Sequence, residues 1–383
     1  MDKNIIIIMK ALYLLFHGFA PHNGISKKVF YQVSALKSCG LDVELCYLLI
    51  DSNGYQKRMV GERVIDNYGN GYSAKILKWF HFTSVSKYIL DNSIEFVYIR
   101  SFNNANPFLI SMMRKMRRAN VKVVLEIPTY PYDNEFKESP LADKVRFYIN
   151  KLFRNQLKGS LDRIITFTDL SEIHGVKTIN ISNGVDFDSV RLKKSIDKKK
   201  GDAINLIGVA EIHYWHGFDR LIMGLGDYYR SCPDTIVNFM VVGEGRASEV
   251  QTLKEMVASI GISEHVFFYG NQFGEDLDHL FDEADFGIAS LGRHRSGITK
   301  IKTLKNREYA ARGLPFIYSE QDDDFEGMPY IIKAPADESH IDVHKLIEFY
   351  RSIRLMPSDI RASICNTLSW KVQMQKVIDL TFN

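Results

Sequence analysis

Short apolar segments alternate with helical segments along most of the 383-residue chain, and this alternation constrains the fold more than any other feature. The strand candidates are 11–16, 42–49, 96–99, 122–127, 163–168, 177–181, 204–209, 237–242, 265–269, 286–289, 315–318 and 330–332. Helical segments such as 26–38, 247–260 and 305–312 lie between them. Near-continuous apolar strands separated by helices are typical of a parallel sheet that is covered on both faces. We therefore predict an α/β fold.

A basic segment at 191–200 divides this alternation into two series. It contains Arg191, Lys193, Lys194, Lys198, Lys199 and Lys200. A run of like charges is typical of a solvated connector. The chain length also fits two domains of about 100–200 residues each. We predict two doubly wound halves that are joined near residue 195, with the ligand in a cleft at the carboxyl ends of the strands.

The charge balance and the apolar segments exclude several classes of protein. Lys and Arg number 49 and Asp and Glu number 46, a formal net charge of +3, which is too balanced for a protein that binds nucleic acid polymers. Lys10 interrupts the apolar N-terminal segment, which is shorter than the roughly 18 residues that span a bilayer. We expect a cytoplasmic protein, and an alternative is peripheral contact with the inner face of the cytoplasmic membrane.

Cysteine spacing and acidic clusters give little sign of a metal. The cysteines form no CxxC pair and no zinc-spaced cluster, and we predict that they are reduced core thiols: Cys39, Cys46, Cys232 and Cys365. Asp322, Asp323 and Asp324 have the chemistry to bind a divalent ion, but we favour a solvated acidic loop. No metal site and no cofactor is predicted.

Familiar catalytic and phosphate-binding motifs are absent or incomplete. The chain has no GxxxxGK[ST] loop, no HExxH and no GxSxG. A GxGxxG match begins at Gly243, but Ser248 stands at the third glycine position, which weakens a dinucleotide-binding interpretation.

The segment from Lys305 to Pro315 carries the clearest chemistry. It begins a predicted helix, and helix N-termini present unpaired amides and a positive dipole end that suit phosphate. Lys305 lies in the first turn, and Glu308 follows one turn later on the same face. A lysine for phosphate and a carboxylate for two ribose hydroxyls form a nucleotide-binding pair. The alternative is an ordinary amphipathic helix with an i, i+3 salt bridge between the two.

This segment resembles the donor-binding helix of GT-B glycosyltransferases, in particular the GT4-like group of retaining enzymes. Other stretches resemble motifs of that family in the family's order: 23–26 (NGIS), 183–186 (NGVD), 215–222 (WHGFDRLI), 241–245 (VVGEG), 266–270 (VFFYG), 284–288 (ADFGI) and 369–370 (SW). Each motif alone is weak, whereas their ordered combination spans nearly the whole chain.

The resemblance implies a GT-B fold, which consists of two Rossmann-like, doubly wound domains that face a cleft. Residues 1–186 would bind the acceptor, 187–366 would bind the nucleotide sugar, and a helix at 367–383 would pack back on the first domain. The implied activity is metal-independent, retaining transfer of a sugar from a nucleotide diphosphate to a glycan or lipid-linked acceptor in surface polysaccharide biosynthesis. A UDP-sugar is favoured, and a GDP-sugar is the alternative. A catalytically degenerate partner of a polysaccharide-assembly complex and a nucleotide-sugar epimerase are alternative functions.

The chain departs from the family's pattern at the diphosphate. Glu211 and His216 stand where the family has an arginine and a lysine, and Lys300 stands where it often has the first of two glutamates. Arg293, Arg295, Lys300 or Lys305 would have to supply the missing charge. The predicted donor-binding residues are Gly24, Glu211, His216, Gly243, Tyr269, Gly270, Arg293, Gly297, Lys305 and Glu308, of which Lys305 is also predicted to be catalytic.

In the first domain, polar residues follow two predicted strands. Glu126 and Arg100 end strands and are predicted to be catalytic. The predicted acceptor-binding residues are His17, Tyr130, Tyr132 and Glu135, and the alternative for the last three is a structural Pro-rich turn. Residues 144–158 alternate basic and apolar side chains, a pattern that permits contact with an anionic membrane. A surface helix that packs on the sheet is the simpler interpretation.

Overall fold

The computed structural model describes residues 9–19, 24–133, 140–194 and 203–383. Contacts divide the chain into two compact units. Unit 1 comprises Met1–Ser182 and Trp370–Asn383, and unit 2 comprises Asn183–Ser369. Each unit is an α/β structure built around its own sheet, as the alternating pattern predicts.

In the described residues, unit 1 has nine strands in the order β4-β3-β2-β1-β5-β6-β7-β9-β8. The strands are β1 (Lys10–Leu14), β2 (Asp42–Ile50), β3 (Gln56–Val60), β4 (Arg63–Gly69), β5 (Phe96–Arg100), β6 (Lys122–Ile127), β7 (Arg163–Thr166), β8 (Glu172–Ile173) and β9 (Val176–Asn180). The helices are α1 (Gly24–Ser38), α2 (Gly71–Phe80), α3 (Thr83–Asp91), α4 (Pro107–Arg118), α5 (Leu141–Phe153) and α12 (Trp370–Phe382).

The centre of this sheet is parallel, but its margins are not. Strands β2, β3 and β4 pair antiparallel, and so do β8 and β9. The expectation of a purely parallel sheet is therefore wrong at both margins. The β3–β4 hairpin turns through two residues, Gly61 and Glu62, and Gly61 adopts a φ of 55°, which suits a glycine in such a turn. Strand β4 contains Arg63, Asp66 and Asn67, so the segment lacks the continuous apolar run that marks the central strands.

Both faces of the unit 1 sheet are buried. Along β1, Leu12 and Leu14 pack into one apolar cluster, while Ala11 and Tyr13 pack into another on the opposite face. Helix α12 contributes to the second cluster through side chains that are at most 2% exposed: Trp370, Met374 and Val377. The last helix of the sequence thus completes a core that residues 9–182 begin.

Unit 2 has six strands in the described residues, all parallel, in the order β12-β11-β10-β13-β14-β15. The strands are β10 (Ile204–Val209), β11 (Val237–Val242), β12 (Val266–Gly270), β13 (Phe286–Ile288), β14 (Phe316–Tyr318) and β15 (Ile331–Lys333). The helices are α6 (Phe218–Arg230), α7 (Ala247–Ile260), α8 (Gly274–Glu283), α9 (Leu304–Arg312), α10 (Val343–Ser352) and α11 (Pro357–Cys365). Apolar clusters cover both faces of this sheet as well.

All four cysteines are free, but they do not all belong to a core. Cys46 is buried, Cys39 and Cys365 are half-buried, and Cys232 is exposed in the turn that follows α6. The expectation of four core thiols is therefore wrong for Cys232. Among the described residues, no helix combines the length and the apolar composition that crossing a membrane requires.

Candidate functional site

Three neighbouring strands of unit 2 end at the same edge of the sheet, and polar segments follow them. A 3-10 helix at Tyr214–His216 follows β10, a second at Arg293–Ser296 follows β13, and Glu320 follows β14 by two residues. Helix α9 immediately precedes β14 in the sequence and is antiparallel to it. The N-terminus of α9 therefore lies at this edge too. Loops at the carboxyl ends of parallel strands are the usual place for a ligand site.

Gly217 allows the first two segments to touch. A Cβ atom at this position would lie 2.6 Å from the Gly292 amide nitrogen and 2.7 Å from the Leu291 carbonyl carbon. Its φ of 64° also favours glycine. The Leu291 amide donates to the His216 carbonyl oxygen over 2.8 Å, which fixes the two loops against each other.

Lys305 carries a buried ammonium group that has no hydrogen-bond partner in the described residues. Lys305 lies in the first turn of α9, where Thr303 caps the helix by accepting from the Asn306 amide. The Lys305 Nζ atom lies 5.7 Å from the centre of the Phe218 ring. Burial, followed by the charge of Arg293, lowers the pKa of Lys305 to about 7, against the opposing effect of Glu320 and Glu308. A buried lysine without a partner, at a helix N-terminus, is well placed to bind an anion.

The alternative salt bridge between Lys305 and Glu308 is not formed. Glu308 is half-buried, and its Oε1 accepts from Arg312 Nε over 3.1 Å, one turn along the same helix. The Glu308 carboxylate therefore pairs with a residue of its own helix, and the Lys305 ammonium group remains available to a ligand.

The other basic side chains near Lys305 divide into paired and unpaired groups. Arg295 forms two hydrogen bonds to Asp219, at 2.9 and 2.7 Å, and also contacts Glu338. Lys300 forms an ion pair with Asp323 at 2.6 Å. Arg293, by contrast, has a buried Nε without a hydrogen-bond partner, and burial lowers its pKa. Of the four predicted suppliers of positive charge, Lys305 and Arg293 therefore have donors available.

His216 is a neutral imidazole rather than a replacement cation. Its Nδ1 accepts from the His213 amide at 3.0 Å, so the other ring nitrogen, Nε2, carries the proton. Burial, and then the charges of Lys305 and Arg293, hold the pKa of His216 well below its usual value. The ring is therefore uncharged at neutral pH and offers one N–H group.

Glu320 belongs to the same cluster, although sequence reasoning missed it. It is 2% exposed, and neither carboxylate oxygen has a hydrogen-bond partner in another described residue. Burial raises its pKa to about 7, and a hydrogen bond from its own backbone amide, followed by the charges of Arg293 and Lys305, opposes that rise. The signal in the sequence was its position, because an acidic residue shortly after an apolar parallel strand lies at the edge of the sheet where ligands usually bind.

The remaining predicted donor-binding residues of unit 2 flank this cluster. The Glu211 side chain is 83% exposed and lies 3.5 Å from His213. Gly243 packs against backbone, since a Cβ there would lie 1.8 Å from the Ala210 carbonyl oxygen. Its amide donates to Gly270 over 2.7 Å, beside the exposed Tyr269 ring at the end of β12. Gly297, with a φ of 70°, ends the 3-10 helix that carries Arg293.

The acidic triplet that follows Glu320 forms ion pairs within unit 2. Asp322 and Asp324 pair with Arg307, and Asp323 pairs with Lys300. Asp322 is fully buried, so the expectation of a solvated acidic loop is wrong for this residue.

In unit 1, Glu126 and Arg100 pair with each other. Glu126 is fully buried and accepts from Tyr98 at 2.5 Å, from Gln32 at 2.7 Å and from Arg100. Lys28 adds an ion pair at 3.4 Å. Burial acts to raise the pKa of Glu126, but the charges of Lys28 and Arg100 outweigh it and hold the pKa at about 2. A carboxylate with this many donors is a poor proton acceptor, and the catalytic roles of Glu126 and Arg100 remain predictions.

The predicted acceptor-binding residues differ in accessibility. Tyr132 is 2% exposed, and its hydroxyl group contacts His174 at 3.0 Å and Asn150 at 3.3 Å, so it serves the core of unit 1. Tyr130 is half-buried beside Tyr132. The Nδ1 atom of His17 forms a hydrogen bond with the Gly18 carbonyl oxygen at 2.7 Å. Gly24 is the exposed first residue of α1. Glu135 lies outside the described residues.

Solved structures share the architecture of both units. A glycosyltransferase from Rickettsia africae matches with a TM-score of 0.65 at 12% identity, over 98% of each chain. The Anabaena protein HepE in complex with UDP matches with a TM-score of 0.62 at 14% identity, over 97% of this chain and 99% of that one. WaaG, a glycosyltransferase involved in lipopolysaccharide biosynthesis, matches with a TM-score of 0.58 at 14% identity, over the same shares.

No protein-family model and no curated protein sequence matches the chain. At these identities, the structural likeness establishes the fold. The predicted α/β class, with a Rossmann-like parallel sheet in each half, is confirmed: the chain has the GT-B glycosyltransferase fold.

Proposed function

We propose that the protein is a glycosyltransferase that uses a nucleotide-diphosphate sugar. The observation that carries this proposal is the buried, unpartnered ammonium group of Lys305 at the N-terminus of α9, with Arg293 Nε and the neutral His216 beside it. A diphosphate leaving group develops negative charge as the sugar departs, and preorganised donors in a site of low dielectric stabilise such charge strongly. Lys305 and Arg293 would hold the diphosphate, and Glu308 would accept hydrogen bonds from the ribose.

The donor that we propose is a UDP-sugar, with a GDP-sugar as the alternative. The complex of HepE with UDP supports uridine as the nucleoside in this fold. We propose retention of configuration. The bond from the anomeric carbon to the diphosphate oxygen breaks, and a bond to the acceptor oxygen forms on the same face. The acceptor's proton passes to the departing oxygen. In this scheme, basic side chains and the α9 amides provide the positive charge.

The acceptor that we propose is a glycan or a lipid-linked glycan of a surface polysaccharide, modified at the cytoplasmic side of the membrane. The structure of WaaG, which acts in lipopolysaccharide biosynthesis, supports this class. Helix α5 also supports it, because Leu141, Val145, Tyr148 and Leu152 are 78%, 53%, 64% and 57% exposed beside lysines. His17, Tyr130 and Glu135 remain candidates for acceptor contact.

The test begins with a thermal-shift screen of UDP-, GDP- and ADP-sugars, followed by hydrolysis and transfer assays on the sugars that stabilise the protein. We expect Lys305→Ala to lower turnover by about 100-fold or more, the scale seen when an oxyanion donor is removed. Lys254→Ala, on the exposed face of α7, is the matched control and should turn over normally.

Three results would contradict the proposal. Near-normal turnover by Lys305→Ala would exclude the proposed role of this side chain. Donor binding without hydrolysis or transfer would favour the non-catalytic assembly partner. Interconversion of donor sugars without any acceptor would favour the epimerase.

A further inference from the structure

Glu320 is a buried carboxylate whose oxygens have no partner in another described residue, and the proposed chemistry does not yet use it. Buried polar groups in folded proteins nearly always have hydrogen-bond partners, and the exceptions point to a function or to a missing ligand. Glu320 is also close to Lys305 and Arg293, at the edge of the unit 2 sheet where β10, β13 and β14 end.

The charges around Glu320 limit what can bind it. Arg293 and Lys305 attract it, and Asp322 repels it. Asp322 itself is occupied, because it accepts from Arg307 and from Asn306 at 3.0 Å. A phosphate oxygen would repel the carboxylate. A partner of the ionised Glu320 carboxylate therefore donates hydrogen bonds, as sugar hydroxyl and amino groups do.

Two carboxylates from different elements act on the charge of Lys305. Glu308 and Glu320 both act on the charge of Lys305, one from α9 itself and the other from the end of β14. In the donor, the diphosphate lies between the ribose and the sugar. With the ribose at Glu308 and the diphosphate at Lys305, the group that remains for Glu320 is the sugar.

We propose that Glu320 is a sugar-binding residue that accepts hydrogen bonds from hydroxyl or amino groups of the donor sugar and so contributes to the choice of that sugar. The inference rests on the proposed function and deepens it.

The experiment measures dissociation constants of UDP, UDP-glucose, UDP-galactose and UDP-N-acetylglucosamine for the full chain by calorimetry. The variants are Glu320→Gln, Lys305→Ala and, as a matched control, Glu264→Gln. Glu264 is exposed and precedes β12, at the opposite edge of the sheet. For Glu320→Gln we expect UDP affinity to stay within about 2-fold of the wild type, while affinity for the preferred UDP-sugar falls about 10-fold. Lys305→Ala should weaken all of them.

Each outcome decides between the two proposals. Wild-type protein that binds neither UDP nor any UDP-sugar contradicts the proposed UDP-sugar donor, on which this inference rests. Wild-type protein that prefers one UDP-sugar, together with a Glu320→Gln variant that keeps this preference, overturns only the role of Glu320. An equal loss of UDP and UDP-sugar affinity in Glu320→Gln would assign the contact to the nucleoside and would also overturn it. Unchanged thermal unfolding of the variant in the absence of ligand shows that the fold is intact.

Discussion

Lys305 and Arg295 are basic residues of one short segment, yet their surroundings differ completely. Arg295 is fixed by Asp219 and Glu338, whereas the Lys305 ammonium has no partner in the part of the chain that the structure describes. A sequence motif shows that positive charge is present, but only the fold shows which charge is already neutralised. The same distinction separates Glu320 from Glu126, since both are buried carboxylates and only Glu126 is surrounded by donors.

The first prediction at this scale concerns pH. The pKa values of Lys305 and Glu320 are both about 7, so raising the pH through 7 removes positive charge from Lys305 and adds negative charge to Glu320. The loss of charge on Lys305 opposes the binding of a diphosphate, while Arg293 stays charged and His216 stays neutral. We expect affinity for a UDP-sugar to fall about 10-fold between roughly pH 6 and 8.5.

Calorimetry across this pH range, with the UDP-sugar that binds best, measures the effect, because the diphosphate of the ligand does not titrate there. Lys305→Arg is the control, since its charge persists and the dependence should flatten. Affinity that is independent of pH in the wild type would show that neither group titrates in the binding site.

The second residue-scale prediction concerns the stability of unit 1. The pKa of Glu126 in the folded state is about 2, below its value in an unfolded chain, so its ionised form stabilises the fold at neutral pH. This contribution is complete above about pH 4.5 and is lost as the pH falls toward 2. Replacing one partner of a buried ion pair costs about 3–5 kcal/mol. We expect Glu126→Gln to lower the free energy of unfolding by about that much at pH 7.

Urea unfolding at pH 7 and at pH 3 measures this difference, and the gap between wild type and Glu126→Gln should narrow at the lower pH. Asp379→Asn, on the surface of α12, is the control. Equal stability of Glu126→Gln and wild type at pH 7 would show that the four donors around Glu126 add no net free energy of unfolding.

At the scale of an element, helix α5 combines two faces with different roles. Phe147 and Asn150 are buried against unit 1, whereas the exposed apolar side chains recur at spacings of four, three and four residues, which places them on one side. Lys144 and Lys151 lie along the same helix. An exposed apolar stripe with flanking lysines is typical of helices that lie in the interface of an anionic bilayer.

We predict that the protein cosediments with vesicles that contain phosphatidylglycerol and binds less to vesicles of phosphatidylcholine alone. The double variant Val145→Glu, Leu152→Glu should lose most of this binding, because it replaces apolar contact with charge repulsion and changes only exposed positions. Leu380→Glu, an exposed position on α12, is the control and should bind as the wild type does. Equal binding of the wild type and the double variant would contradict the role of α5.

At the scale of the whole molecule, sequence reasoning succeeded where one signal dominates. Buried parallel strands are apolar on both faces, so β6, β10 and β11 were predicted at the residues where they occur. The β3–β4 hairpin was missed because both strands carry polar and charged side chains and so resemble loops. In the site, Lys305 was predicted from its place at a helix start. Glu320 was missed because its lack of partners depends on how loops from different strands converge.

The position of α12 has a consequence for how the protein is made. Unit 1 consists of two stretches of sequence with the whole of unit 2 between them, and Trp370, Met374 and Val377 fill its core. Unit 2 is continuous in the sequence, so all of its core residues are available for folding once this stretch has left the ribosome. Part of the apolar surface of unit 1 therefore stays uncovered until the ribosome has synthesised unit 2 and then α12. Folding during synthesis therefore cannot proceed strictly from the first unit to the second.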